Sequence, residues 1–134
     1  MLHPPAIGPE GNENARSLVL RVCHGGHTLL LTGDLEGAGL ERVLALPPAN
    51  VDVLMAPHHG SRTSNKPELA DWARPRVVIA SQGPPRGVSR PVEPYSRQGA
   101  TFLGTWLHGA VTIHSGPEEL IVETFVTGER FVVR

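Results

Sequence analysis

An aspartate and a pair of histidines are the residues of this sequence whose types and spacing suit metal-dependent chemistry. Asp34 follows an apolar run that ends at Thr32, and His58 and His59 follow the apolar run 51–56. Carboxylate oxygens and imidazole nitrogens are normal ligands for Zn²⁺ and Mn²⁺. Taken alone, Gly-Asp is typical of a turn or helix cap, and His-His-Gly also fits a polar loop. Together, each at a strand end, they predict a metal-binding or catalytic site.

Polar and basic side chains follow these histidines. Ser61, Arg62 and Thr63 are candidates for orienting a ligand or contacting a substrate, although hydrogen bonding within the loop would also explain the hydroxyls. Residues 62–97 hold seven basic and three acidic side chains, in a chain whose net charge is −1. This basic segment fits either a solvated surface or a non-catalytic surface that binds DNA or a partner.

The elements that would position these residues follow from local patterns. Gly25-Gly26 between two β-rich runs predicts a hairpin. Pro67 fits the first turn of a helix that ends near Ala73, and Cys23 is expected to be a buried thiol within a strand. His108 is placed in a hairpin turn. The predicted strands are 18–23, 28–32, 51–56, 76–81, 101–106, 110–114, 119–126 and 130–134, and the predicted helices are 40–46, 67–73 and 92–98.

This order of elements predicts an α/β, layered fold with a mixed sheet and helices on one face. The 134 residues suit a single domain, with residues 1–16 as an N-terminal loop before the sheet and helices of 17–134. If the strands joined by helices are parallel, ligand groups gather at their carboxyl ends. The single cysteine excludes an internal disulfide, and no apolar run reaches the ~20 residues of a membrane-spanning helix.

Several segments of the sequence resemble the metallo-β-lactamase-fold domain of ComEC-type DNA-uptake proteins. The segment PHHGSRTS (57–64) after an apolar strand is the most specific of them. LLTGD (30–34) and DVL (52–54) support it. The N-terminal segments LHPP (2–5) and NARSLVL (14–20), and the later GAVTI (109–113), extend the resemblance from about residue 2 to 114.

The resemblance implies a fold, a reaction and partners. The chain would form the C-terminal half of a metallo-β-lactamase αββα sandwich, with Asp34 as the carboxylate that bridges two Zn²⁺ or Mn²⁺ ions. One of His58 and His59 would be a ligand, and the other would support it or act as a general acid. The implied reaction is DNA phosphodiester hydrolysis. The implied partners are DNA, the membrane channel portion of an inner-membrane parent protein and, through an exposed sandwich face, a second copy.

The sequence also departs from the family pattern. The clustered His-x-(His or Asp)-x-Asp-His motif is absent from residues 1–134, and Asn14 stands near the position of a further histidine ligand. A later Gly-His-Pro reads Ser89-Arg90-Pro91, and Arg90 could contact phosphate but not a metal. Two or three ligands remain where a two-metal site needs six or seven. We therefore expect a partial domain that is a poor catalyst by itself, with a non-catalytic DNA- or partner-binding fragment as the alternative.

Overall fold

The computed structural model describes residues 1–84 and 93–133, which form eight strands and four α-helices. The strands are β1 (Leu20–His24), β2 (His27–Leu31), β3 (Val53–Met55), β4 (Val77–Ala80), β5 (Thr101–Gly104), β6 (Val111–Ser115), β7 (Leu120–Thr124) and β8 (Arg130–Val133). The helices are α1 (Gly37–Leu44), α2 (Pro67–Ala73), α3 (Glu93–Ser96) and α4 (Thr105–His108), with 3-10 helices at Glu13–Arg16 and His58–Gly60. The predicted layered α/β class is confirmed.

The larger sheet is mixed and has the order β1-β2-β3-β4-β5. β1 and β2 form the predicted hairpin around Gly25 and Gly26, whose positive φ angles of 56° and 81° suit a two-residue turn. β2, β3, β4 and β5 run parallel to one another. Their carboxyl ends therefore lie along a single edge of the sheet.

One face of the larger sheet packs against helices. Leu30, Leu54 and Val78 occupy matching positions on β2, β3 and β4 and are buried in one cluster with Leu40 of α1 and Leu69 of α2. Removing one such large apolar side chain from water stabilises the fold by roughly 1.5–3 kcal/mol. The helical layer thus packs against the strands that end at the candidate residues.

The opposite face packs against a smaller antiparallel sheet of order β6-β7-β8. Val53, Val77 and Leu103 alternate with the helix-facing residues, and they are buried with Leu120 and Val122 of β7. The molecule thus has three layers: helices, a mixed sheet and a second sheet. The sequence patterns predicted the strands but not their division between two sheets.

The helices agree with the sequence patterns to different degrees. α2 has the predicted bounds, begins with Pro67 and ends where Arg74 adopts a left-handed φ of 43°. α1 begins at Gly37 rather than at Leu40, because apolar periodicity marks only the buried face of a helix, here Leu40 and Val43. In the described part of the third predicted helix, 92–98, only Glu93–Ser96 is helical.

Two predictions about single residues are wrong. Cys23 is exposed, because β1 is an edge strand whose residues from Arg21 to His24 are all exposed. His108 ends α4 instead of lying in a hairpin turn, and its Nδ1 donates a hydrogen bond to the Gly104 carbonyl over 3.0 Å. β5 and β6 belong to different sheets, so the chain crosses between layers here and the strand predicted over 101–106 stops at Gly104.

The smaller sheet does not cover the whole second face of the larger sheet. Leu18, Val22, Leu31 and Met55 are large apolar residues that are exposed there, and we call them the apolar stripe. Val22 pairs with Leu29, which packs on the second cluster, so the strand alternation puts the stripe on this face. The stripe reaches the carboxyl ends of β2 and β3.

The two sheets meet closely at the opposite edge. A Cβ atom built on Gly25 would lie 1.9 Å from the carbonyl oxygen of Gly116, so only glycine fits between the two turns. The neighbouring His24 Nδ1 lies 3.1 Å from Ser115 Oγ, within hydrogen-bond distance. Along the described residues, no helix has the length and apolar character needed to cross a membrane.

Candidate functional site

The carboxyl-end edge of the parallel strands brings the candidate residues into one place. Asp34 follows β2, His58 and His59 follow β3, and Ser81 follows β4. Two hydrogen bonds join the first two of these loops: His58 N–H donates to the Gly33 carbonyl over 3.0 Å, and Thr32 Oγ1 donates to the Met55 carbonyl over 2.6 Å.

His59 faces Asp34. Its Nε2 lies 3.4 Å from Asp34 Oδ1, and its Nδ1 donates to the Ser81 carbonyl over 2.9 Å. A carbonyl only accepts hydrogen bonds, so Nδ1 carries the proton and, in the neutral ring, Nε2 presents a lone pair towards the carboxylate. A backbone carbonyl on the far nitrogen is the usual support of a metal-binding histidine. The pair therefore has the geometry of part of a metal site.

His58 is held by a different carboxylate. Its Nδ1 donates to Glu36 Oε2 over 2.9 Å, whereas Glu36 Oε1 accepts from Asn12 Nδ2 at 2.8 Å and Asn14 Nδ2 at 3.0 Å. The hydrogen bonds from Asn12 and Asn14, and then the neighbouring His58, lower the pKa of the Glu36 carboxyl from its usual value. An ionised Glu36 thus orients His58 and connects it to the N-terminal segment. Sequence reasoning missed Glu36, although it lies two residues after Asp34 with the buried Leu35 between them.

The histidine turn has an unusual backbone. His58, His59 and Gly60 have consecutive φ angles of 49°, 52° and 80°. The left-handed region costs a non-glycine residue roughly 1–2 kcal/mol. Neither histidine would adopt it without surrounding contacts that fix the loop.

A buried pair of side chains provides those contacts. Asn65 Nδ2 donates to the carbonyls of Pro57, at 3.0 Å, and Ser61, at 2.7 Å, on either side of the turn. Asn65 Oδ1 in turn accepts from Tyr95 Oη over 2.7 Å, and burial raises the pKa of Tyr95, which keeps this hydroxyl a donor. Sequence reasoning missed both residues, because Asn65 and Tyr95 meet only through the tertiary fold.

The predicted substrate-contact residues lie beside the turn. Ser61 Oγ and Thr63 Oγ1 are 2.8 Å apart and hydrogen-bond to each other, and Arg62 is exposed. Thr63 also lines an open groove of about 480 Å³ together with Glu36 and Lys66. Arg90, the remaining predicted contact, lies outside the described residues.

The donors fit a metal ion in type but not in number. Among the described residues, no group of three or more His, Cys, Asp or Glu side chains is placed to hold a metal ion. His3 is buried elsewhere, with Nε2 2.8 Å from the Ala15 carbonyl. Asp34 and His59 are two donors where Zn²⁺ takes about four.

The basic segment 62–97 is not one surface in the described residues. Arg62 and Lys66 lie beyond the carboxyl end of β3, whereas Arg74 and Arg76 precede β4 and so lie at the opposite edge. Arg76 Nη1 is 3.3 Å from Asp52 Oδ1, and Arg97 is paired with Glu93. Within residues 62–84 and 93–97, these positions form no continuous positive patch that would support the binding-fragment alternative.

Comparison with known proteins adds a family context to this layered α/β domain with its His-Asp pair. No known protein-family model matches the chain. It is 34% identical over 111 residues to competence protein ComA of Neisseria gonorrhoeae, and 39% identical over 84 residues to ComE operon protein 3 of Bacillus subtilis. Recombination protein 2 of Haemophilus influenzae is 41% identical over 71 residues.

These alignments cover 78%, 62% and 53% of this chain, but only 16%, 11% and 9% of the respective relatives. The chain thus spans less than a fifth of the curated relatives it matches. The similarities support a competence-protein family. The activity and partners of the whole relatives are treated below as proposals.

Proposed function

We propose that this chain is the part of a DNA-uptake protein that contributes Asp34 and His59 to a metal-dependent phosphodiesterase site of metallo-β-lactamase type. The observation that supports this proposal most directly is the 3.4 Å distance between His59 Nε2 and Asp34 Oδ1. The other ring nitrogen, Nδ1, is fixed by the Ser81 carbonyl. The similarity to competence proteins supports DNA as the substrate class.

The two histidines have different proposed roles. His59 is the metal ligand, because its free nitrogen faces Asp34. His58 is directed away by Glu36 and stands beside the ligand pair, where it can support the ligand or exchange a proton with the substrate. A bound Zn²⁺ or Mn²⁺ pair supplies an activated water and neutralises charge on a phosphoryl oxygen. The further ligands come from outside the described residues.

Loss of Asp34 or His59 should lower the affinity of the chain for metal ions. Calorimetric titration of the 134-residue chain with Mn²⁺ and Zn²⁺ should give weak binding, which Asp34→Asn or His59→Gln reduces by about tenfold or more because a direct ligand is lost. His58→Gln should reduce it less. Cleavage of a labelled oligonucleotide with Mn²⁺ should be slow and should disappear in Asp34→Asn.

The chain offers a matched control in His114→Gln. His114 Nε2 lies 3.0 Å from Glu123 Oε2, and the exposed fractions of these side chains, 55% and 41%, resemble the 64% and 45% of His59 and Asp34. Equal losses in His114→Gln and His59→Gln would mean that metal binds any exposed His-carboxylate pair. That result, or binding unchanged in Asp34→Asn, would refute the proposed ligand role.

A further inference from the structure

A tryptophan stands at the same strand-end edge as the candidate site. Trp106 lies in α4, which directly follows β5, so it is beyond the carboxyl end of a parallel strand like Asp34 and His59. β5 is the second strand from β3. At ~4.8 Å between neighbouring strands, β5 lies roughly 10 Å from β3, so α4 begins at the same edge of the sheet as the histidine turn.

Contacts across the edge fix the start of α4 to the site. Gln82 N–H donates to Thr105 Oγ1 over 3.0 Å, and Thr105 Oγ1 donates to the Gln82 carbonyl over 3.2 Å. The preceding Ser81 carbonyl is the one that accepts from His59. The start of α4 is therefore connected to His59 through these hydrogen bonds and the Ser81-Gln82 backbone.

The indole of Trp106 rests on the sheet on one side. A Cβ atom built on Gly104 would lie 2.9 Å from the indole Cδ1 and Nε1 atoms, and 3.3 Å from Gln82 Nε2. Gly104 is fully compatible with this close approach because it has no side chain. Trp106 nevertheless keeps 45% of its surface exposed, whereas the other tryptophan, Trp72, is buried and donates from Nε1 to the Leu46 carbonyl.

We propose that Trp106 is a stacking platform for an unpaired nucleobase of the substrate strand, a role that rests on the proposed function. An exposed indole stacks on any base, since every base has a π-face, and such contacts tolerate sequence variation. Bases inside a duplex do not present their faces to a side chain, so the platform selects single-stranded DNA. The base on Trp106 positions the strand whose phosphate lies at Asp34 and His59.

The test measures binding without hydrolysis. The purified chain is titrated in EDTA at about 50 mM salt with oligothymidylate of about 12 nucleotides, with the matching duplex, and with an abasic strand of equal length. The fluorescence anisotropy of a dye on each strand measures its affinity for wild type and variants alike. The thymidylate strand should bind more tightly than the other two and should quench the tryptophan fluorescence of the wild-type chain. Trp106→Ala should weaken it by about tenfold, and Trp106→Phe should restore most of the loss.

Leu107→Ala is the matched control, because Leu107 is the next residue of α4 and has a similar exposed fraction of 47%. An equal loss in Leu107→Ala would indicate an apolar protein-docking surface and overturn the stacking role. Equal affinity for the abasic strand, or no binding of the thymidylate strand, would also overturn it. Because EDTA removes metal, this binding does not depend on hydrolysis. Trp106-dependent binding in EDTA, together with no cleavage in the separate assay with Mn²⁺, would refute the proposed hydrolysis while leaving the platform in place.

Discussion

Two buried side chains outside the Asp34-His59 pair, Asn65 and Tyr95, fix the backbone of the turn that carries the candidate histidines. The Asn65 amide contacts the chain on both sides of the left-handed turn, and the Tyr95 hydroxyl holds that amide in place. Because both side chains are buried, each hydrogen-bonding group that loses its partner costs the full desolvation penalty. The hydrogen bonds of Asn65 and Tyr95 thus maintain the backbone geometry of His59.

Replacing Tyr95 by phenylalanine should therefore destabilise the chain by about 1–3 kcal/mol, because Asn65 Oδ1 is left buried without its donor. Urea unfolding followed by circular dichroism measures the free energy of unfolding. The metal affinity of the folded variant should also fall, since the turn is less well fixed. An unchanged free energy of unfolding would show that the hydroxyl does not hold Asn65 in solution.

Trp72→Phe provides a comparison for this change. It also removes one buried donor, but its partner is the Leu46 carbonyl, remote from the histidine turn. Trp72→Phe should lower stability without a separate effect on metal affinity. A similar loss of affinity in both variants would mean that affinity follows overall stability rather than the Asn65 contacts.

In the smaller sheet, the carboxylate of Glu123 connects all three strands. Glu123 of β7 accepts from Arg130 Nε of β8 over 2.8 Å, and it lies 3.0 Å from His114 Nε2 of β6. The hydrogen bond from Arg130, followed by that from His114, lowers the pKa of Glu123 from its ordinary 4.5. The ionised carboxylate therefore favours the folded sheet.

The sign of the resulting pH dependence follows from this lowered pKa. A carboxyl whose pKa is lower in the folded chain contributes stability above its unfolded pKa, and the contribution is lost as the pH falls through its folded pKa. Between pH 6 and the acid range below the ordinary 4.5, the wild type should lose more stability than Glu123→Gln. Urea midpoints measured across this range provide the test. Parallel pH profiles for the two proteins would contradict the role of Glu123.

Local patterns account for most elements, and long-range contacts account for what sequence reasoning missed. The Gly25-Gly26 hairpin and the Pro67 helix depend on a few neighbouring residues, so the sequence predicts them well. Asp34 and the histidines were identified as site candidates because each follows an apolar strand. The contacts of Glu36 with Asn12 and of Asn65 with Tyr95 join residues 24 and 30 positions apart, and no local pattern reports them. The resemblance named His58 and His59 together, and only the packed loop distinguishes their surroundings.

At the scale of the whole molecule, the apolar stripe extends to the same sheet edge as Asp34 and His59, which are too few donors to hold a metal ion by themselves. Leu31 and Met55 end the strands that lead to Asp34 and to His58-His59. Exposed apolar surface of this kind is typical of a face that another chain or domain covers. The two candidates to cover this face are a second copy, which the family resemblance implies, and another part of a longer protein.

The stripe gives a prediction for self-association. Sedimentation should show a concentration-dependent dimer, and Leu18→Ser with Val22→Thr should weaken the dimer by about thirtyfold or more, because the two changes together remove roughly 2 kcal/mol of apolar burial from each copy. Val132→Thr, an exposed position on β8, is the matched control and should leave association unchanged. A wild-type chain that remains monomeric at all concentrations would exclude a homodimer through this face.

The close approach of Gly25 to Gly116 also decides where the chain can be labelled. Any side chain or inserted residue at Gly25 would meet the opposite turn and wedge the two sheets apart, so a fluorophore or affinity tag does not belong there. A Cβ atom built on Gly128, in the turn between β7 and β8, would meet nothing within 4 Å, and the φ of 67° at this position is accessible to asparagine as well as glycine. A fluorophore or affinity tag attached at that turn would not push against the opposite sheet.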